Sequence, residues 1–229
     1  LVNLSDADET LAGTLVAAHT ARDGFGATDT IISIQSARGS AFDDVIVGSA
    51  LADRLEGEAG NDEIHGRGGN DTLRGNAGND ILFGEDGDDS LRGGAGVDQY
   101  SGGAGYDNLR FDGDTPNQGA VASLTTGLIT DTFGNAESIG ASNDIEMLIG
   151  SSLADDLEGK ALAGTITQLE GREGNDTLRA GSGSPTNVVA YYTFDPGAIT
   201  ADLRLSTQQV ADGYGGTNSR YAEEKRVVF

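Results

Sequence analysis

The chain has 229 residues, a formal net charge of −23 and no cysteine. This balance excludes a nucleic-acid binder, which needs a basic patch, and no apolar run reaches the roughly 18 residues of a membrane-spanning helix. Disulfides cannot hold the fold, and 36 glycines against 3 prolines, without the every-third spacing of collagen, point to recurrent turns.

Residues 1–38 read as the flanking segment of a first module: a β-like LVNL, a helix-compatible or loop stretch ETLAGTLVAAH, then DGFGATDTIISIQSARGS. Asp23 and Asp29 lie in that Gly-rich phrase, where a second ion site and an ion-free turn are equally good readings. His19 and His65 are isolated, so neither suggests zinc.

Residues 39–110 carry the main array. From Gly57 the phrases GEAGNDEIH, GRGGNDTLR, GNAGNDILF, GEDGDDSLR, GGAGVDQYS and GGAGYDNLR follow without insertion. Each has Gly at positions 1 and 4, Asp at position 6 and a large apolar residue at position 8. Two weaker phrases precede them, GSAFDDVIV from Gly39 and GSALADRLE from Gly48, with Phe42 and Leu51 where the second Gly belongs.

Residues 111–149 read as the spacer of a second module, 150–184 as a short degenerate array, and 185–229 as a third module that stops at Phe229 before any array. The modules share an Asp-x-aromatic-Gly element, in DGFG, DTFG and DGYG, each preceded by a β-like segment. In the degenerate array, GSSLADDLE and GREGNDTLR fit, while GKALAGTITQLE between them is three residues too long and has Thr167 in place of Asp. Pro185 falls where a further Asp is due and cannot donate to a ladder, so the array is expected to end there. Leu1 opens inside a repeat-like segment, and the chain reads as part of a longer protein.

The nine-residue period has a physical reading. Gly at positions 1 and 4 is expected to take positive φ in a tight turn, and Asn or Asp at position 5 tolerates the same region. Positions 7–9 then make a three-residue strand whose middle side chain faces inward, which predicts burial of Ile46, Leu55, Ile64, Leu73, Leu82, Leu91, Tyr100 and Leu109. With two repeats per coil, repeats n and n+2 stack as parallel strands about 4.8 Å apart. Stacking also brings their Asp carboxylates together, and two close carboxylates do not both ionise cheaply without a cation. Ca²⁺ suits such a site because it takes carboxylate and carbonyl oxygens; Mg²⁺ suits it less, and transition metals lack their His and Cys ligands.

These phrases resemble the repeats-in-toxin (RTX) nonapeptide, closely over 39–110 and loosely over 150–179. The resemblance implies an all-β fold, a parallel β-roll or right-handed β-helix solenoid with irregular β flanking segments, holding several Ca²⁺ ions between stacked turns. It implies ligand pairs Asp44 with Asp62, Asp53 with Asp71, Asp62 with Asp80, Asp71 with Asp89, Asp80 with Asp98, and Asp89 with Asp107. Asp155 and Asp176 share a further site on the same reading. It also implies a secreted bacterial protein exported by a type I system, either as the accessory region of a secreted enzyme (protease, lipase or polysaccharide-modifying) or as a stretch of a large adhesin.

Outward positions carry a second pattern. Arg74, Arg92 and Arg110 recur at position 9 of alternate repeats, and like charges at strand spacing need acids beside them. The two readings are pairing with the chain's own carboxylates and a docking strip for an acidic glycan or protein partner. Val45, Val47, Ile81 and Phe83 also face outward and predict cover by a flanking segment or an interface. No His-Glu-x-x-His, Gly-x-Ser-x-Gly or cysteine nucleophile is present, so the segment itself is expected to be no enzyme.

Overall fold

The computed structural model describes residues 1–5, 7–11, 14–22, 28–30, 33–113, 117–140, 144–160 and 166–179, and the backbone of 188–191, 200–201, 210–211 and 226–228. It divides into two compact units, Leu1–Asp107 and Asn108–Phe229. The described residues form strands and turns with no helix, and so no helix long and apolar enough to cross a membrane. The fold is a β-solenoid of parallel strands.

In the first unit, Arg54–Ala59, Thr72–Ala77 and Ser90–Ala95 pair in parallel, with Leu55, Leu73 and Leu91 in register. The second ladder stacks Val45–Val47, Glu63–Gly68, Ile81–Asp86 and Gln99–Ala104, with Ile46, Ile64, Leu82 and Tyr100 in register. Partners are eighteen residues apart, two repeats per coil. All seven of these side chains are buried, as is Leu109 in the second unit. Each buried large apolar side chain contributes roughly 1.5–3 kcal/mol, and this core is only one side chain deep per strand.

The strands differ from the three-residue expectation. Each central strand runs six residues, from position 7 through position 3 of the next repeat. The ladder passes through position 2 in a left-handed conformation, φ 83° at Glu58, 77° at Arg67, 79° at Asn76 and 74° at Glu85. Position 4 is also positive, as at Gly60 and Gly78. The glycine at position 1 answers to space rather than to φ: a methyl group built on Gly75 would lie 2.1 Å from Oδ2 of Asp80.

A shared flanking arrangement opens both units. Val2–Asn3 pairs antiparallel with Thr20–Arg22, which pairs antiparallel with Thr28–Thr30, while Val2–Asn3 also runs parallel to Val45–Val47. In the second unit, Val121–Ser123, Leu128–Thr130, Ala136–Ile139 and Asp156–Glu158 repeat this order and these directions. Even the exit bond matches: Leu4 N–H donates to Val47 at 2.7 Å, and Leu124 N–H to Glu158 at 2.8 Å.

Two further expectations are corrected. The helix-compatible stretch is a hairpin, Glu9–Leu11 against Thr14–Val16. Its Val16 packs with Val47, Val45 and Leu1, so the flank covers Val45 and Val47 of the outward apolar set, whereas Phe83 stacks on His65. Nor does parallel pairing stop at Pro185, which lies outside the described residues: Val188–Tyr191 pairs in parallel with Thr167–Glu170 and antiparallel with Arg226–Val228. The β-branched Val188 and Val189 continue the ladder beyond the proline. The aromatic phrases DGFG and DGYG and Asp23 also fall outside the described residues, whereas Asp29 sits exposed on Thr28–Thr30.

Candidate metal centre

The position-6 aspartates line the turns, and eighteen-residue stacking brings successive ones into contact. The backbone N–H of Asp44, Asp53, Asp62, Asp71, Asp80 and Asp89 donates to Oδ1 of Asp62, Asp71, Asp80, Asp89, Asp98 and Asp107 respectively, at 2.8–2.9 Å. Position 5 makes the reverse bond, as in Asn79 N–H to Oδ1 of Asn61 at 2.9 Å and Val97 N–H to Oδ1 of Asn79 at 2.8 Å. Every central turn is thus tied to the turn two repeats away by bonds in both directions.

The second carboxylate oxygen divides the turns into two kinds. In Asp62, Asp71 and Asp80, Oδ2 is buried and accepts no hydrogen bond. It borders the space left by the position-1 glycine. A methyl group on Gly66 would lie 2.4 Å from Oδ2 of Asp71 and 2.6 Å from the carbonyl oxygen of Gly84. The same construction at Gly84 meets Oδ2 of Asp89 at 2.3 Å and the carbonyl of Gly102 at 2.4 Å. A carboxylate oxygen and a backbone carbonyl oxygen therefore converge where a side chain would otherwise sit, and leave no room for one.

In Asp44, Asp53 and Asp155 the second oxygen is engaged by serine at position 2. Ser40 donates its N–H at 2.6 Å and its hydroxyl at 2.8 Å to Oδ2 of Asp44, and Ser49 does the same for Asp53 at 2.6 and 2.9 Å. Ser151 N–H reaches Oδ2 of Asp155 at 2.7 Å, its hydroxyl reaches Oδ1 at 2.9 Å, and Ala120 N–H adds a bond to Oδ1 at 2.6 Å. Asp176 is brought to Asp155 as the pairing expected, through Asp155 N–H to Oδ1 of Asp176 at 2.9 Å. Sequence reading missed these serines. Their signal was present: wherever Ser holds position 2, position 4 is Phe42, Leu51 or Leu153 instead of Gly.

Burial sets the electrostatics. It pushes the carboxyls of Asp71 and Asp80 up to about 7, opposed by the backbone bond each accepts and reinforced by the neighbouring aspartates of the ladder. Asp89 and Asp155 rise to about 6, and Asp62 is also raised, again chiefly by burial. A cation offsets this cost by pairing with the charged form. The donor set fits calcium: oxygen only, part carboxylate and part carbonyl. Among the described residues no three His, Cys, Asp or Glu side chains converge, so backbone oxygens would complete the shell.

Arg74 and Arg110 have acids beside them. Arg74 lies 3.6 Å from Oε1 of Glu56, its register partner, and Arg110 makes paired bonds of 2.8 and 2.7 Å to Asp112. Glu56 also accepts from Arg38 at 2.8 Å. Burial raises its carboxyl, yet the bonds from Arg38 and Arg54 outweigh burial and hold it below the usual range. His65 stacks on Phe83 at 4.7 Å between Glu63 and Glu85. Asp131 of the DTFG phrase is closed by its own turn, accepting the N–H groups of Phe133 and Asn135 at 3.0 and 2.6 Å.

A family model described as the RTX calcium-binding nonapeptide repeat (4 copies) matches residues 38–73, 74–109 and 167–185. The chain therefore carries RTX calcium-binding repeats. No curated protein matches it.

Proposed function

We propose that these RTX calcium-binding repeats make the chain a calcium-dependent folding module of a secreted bacterial protein. The observation that carries this reading is the row of buried Oδ2 atoms of Asp62, Asp71 and Asp80, which accept no hydrogen bond, with the carbonyl oxygen of Gly84 converging on the same point as Oδ2 of Asp71. Asp62, Asp71, Asp80, Asp89, Asp98 and Asp107 would hold the ions with the turn carbonyls. When bound, calcium supplies the positive charge that lets these carboxylates stay ionised and buried.

The chain's own residues do the remainder. The Oδ1 ladder fixes carboxylate orientation, the position-1 glycine leaves room for Oδ2, and the apolar column aligns successive turns. With a thin core and a net charge of −23, binding energy becomes folding energy. Extracellular modules of this kind respond at roughly 10⁻⁴–10⁻³ M Ca²⁺. The chain would stay unfolded in a low-calcium cytosol, suit a type I export route, and fold outside. Its role is structural within a larger secreted enzyme or adhesin, with no catalysis of its own.

Far-UV circular dichroism during a Ca²⁺ titration tests the proposal. The expected result is a cooperative gain of β signal in that concentration range. Equal β content in excess chelator and in millimolar Ca²⁺ would overturn it.

A further inference from the structure

The second unit contains a turn that departs from the calcium pattern in chemistry as well as sequence. Met147–Ile149 and Thr167–Glu170 are parallel partners, with Leu148 opposite Leu169. Glu146 and Thr167 therefore hold the places that Asp62 and Asp80 hold in the first unit. Between them runs the overlong phrase with Lys160 at position 2.

The Lys160 ammonium lies 3.1 Å from Oε1 of Glu146, and their side chains are 6% and 12% exposed. The Thr167 hydroxyl donates to the Lys160 carbonyl at 3.0 Å. Lys160 belongs to the turn two repeats beyond Glu146, so its ammonium ties turn n to turn n+2. In the first unit, that connection runs between two carboxylates and calls for a divalent ion. Here one carboxylate is replaced by neutral Thr167, and a monovalent ammonium balances the one that remains.

The adjacent turn is also closed by protein groups, since Asp155 accepts from Ser151 and Ala120 and is capped onto Asp176. These donor sets do not fit calcium as those of Asp62, Asp71 and Asp80 do: the oxygens already have donors, or already face a fixed cation.

We propose that Lys160 takes the place of a calcium ion, so that strands 147–149 and 167–170 pair without the metal. The proposal rests on the calcium reading of the central turns only for its contrast. A buried ion pair is costly to break, because removing one partner leaves the other charge uncompensated, whereas removing both is far milder.

Hydrogen exchange of the full chain, followed by mass spectrometry in excess chelator and in millimolar Ca²⁺, tests it. The expected result is protection of strands 147–149 and 167–170 in both conditions, with strands 72–77 and 81–86 protected only with Ca²⁺. Lys160→Met lowers protection of 167–170 in chelator by roughly a hundredfold or more. The double variant Lys160→Met with Glu146→Gln regains most of it. Wild-type strands 147–149 and 167–170 that gain protection only when Ca²⁺ is added would overturn the proposal, as would an unchanged Lys160→Met. Strands 72–77 and 81–86 indifferent to Ca²⁺ would count against the folding function while protection of 147–149 and 167–170 in chelator still upheld this inference.

Discussion

The turns closing on Asp71 and Asp80 and those closing on Asp44 and Asp53 share the same acid at the same position, yet they satisfy it differently. In the former, position 2 is Arg67 or Asn76, held at φ 77° and 79°. Asn76 joins the ladder between Glu58 and Gly94, and Oδ2 of Asp80 is left buried with no donor. In the latter, position 2 is Ser40 or Ser49, which turns both its donors onto Oδ2. The difference shows that the repeat contains two solutions to one problem, the buried carboxylate. One leaves Oδ2 without a donor, and the other places two donors on it, although Oδ1 of Asp53 stays buried without one.

The largest effect should come from neutralising the open turns. Asp71→Asn together with Asp80→Asn keeps an oxygen for the Oδ1 ladder and removes the buried charge. We expect at least roughly tenfold weaker Ca²⁺ response per substitution, since even supporting residues of metal sites cost 10–100-fold. Isothermal titration calorimetry would read it. Unchanged affinity would show that these carboxylates are not ligands.

Acidity should act on the open turns next. Asp71 and Asp80 reach about 7 in the folded chain, above the unfolded value of about 3.9. The folded form thus binds more protons, and its stability without calcium is fully present below about pH 3.9 and lost as pH rises through about 7. In chelator, β content should rise from pH 7.5 to pH 4 by circular dichroism, and Ca²⁺ binding between pH 6 and 7 should release protons. Calcium-free β content that falls on acidification would contradict this sign.

Ser49→Ala should have the smallest effect. Losing one capping hydroxyl costs about 0.5–2 kcal/mol, read as a lower thermal midpoint in saturating Ca²⁺, with only the small shift in Ca²⁺ midpoint that this loss of stability imposes. A large affinity change would place Ser49 and Asp53 among the calcium turns instead.

How much of this was legible in the chain follows from the range of each interaction. The apolar column from Ile46 to Leu109 was readable because a strand alternates sides every residue and the repeat returns the same residue to the same place. The Asp44-to-Asp62 and Asp155-to-Asp176 pairings followed from two repeats per coil. The hairpin Glu9–Leu11 with Thr14–Val16 was not readable, because two three-residue strands leave too short a periodic trace to separate from a turn of helix. The role of the position-1 glycine was also misplaced: lack of a side chain serves a carboxylate five residues away, which only the folded turn shows.

By itself, then, the sequence determined the period, the buried column, the register and the acidic turns, since each depends on local geometry repeated many times. Which carboxylate oxygens carry donors was decided only by tertiary structure. So were the cover of Val47 by Val16 and the meeting of Lys160 with Glu146. The first carries a trace within its own phrase, the serine at position 2, whose meaning only the folded turn shows; the other two depend on side chains meeting across turns, which no single nine-residue phrase encodes.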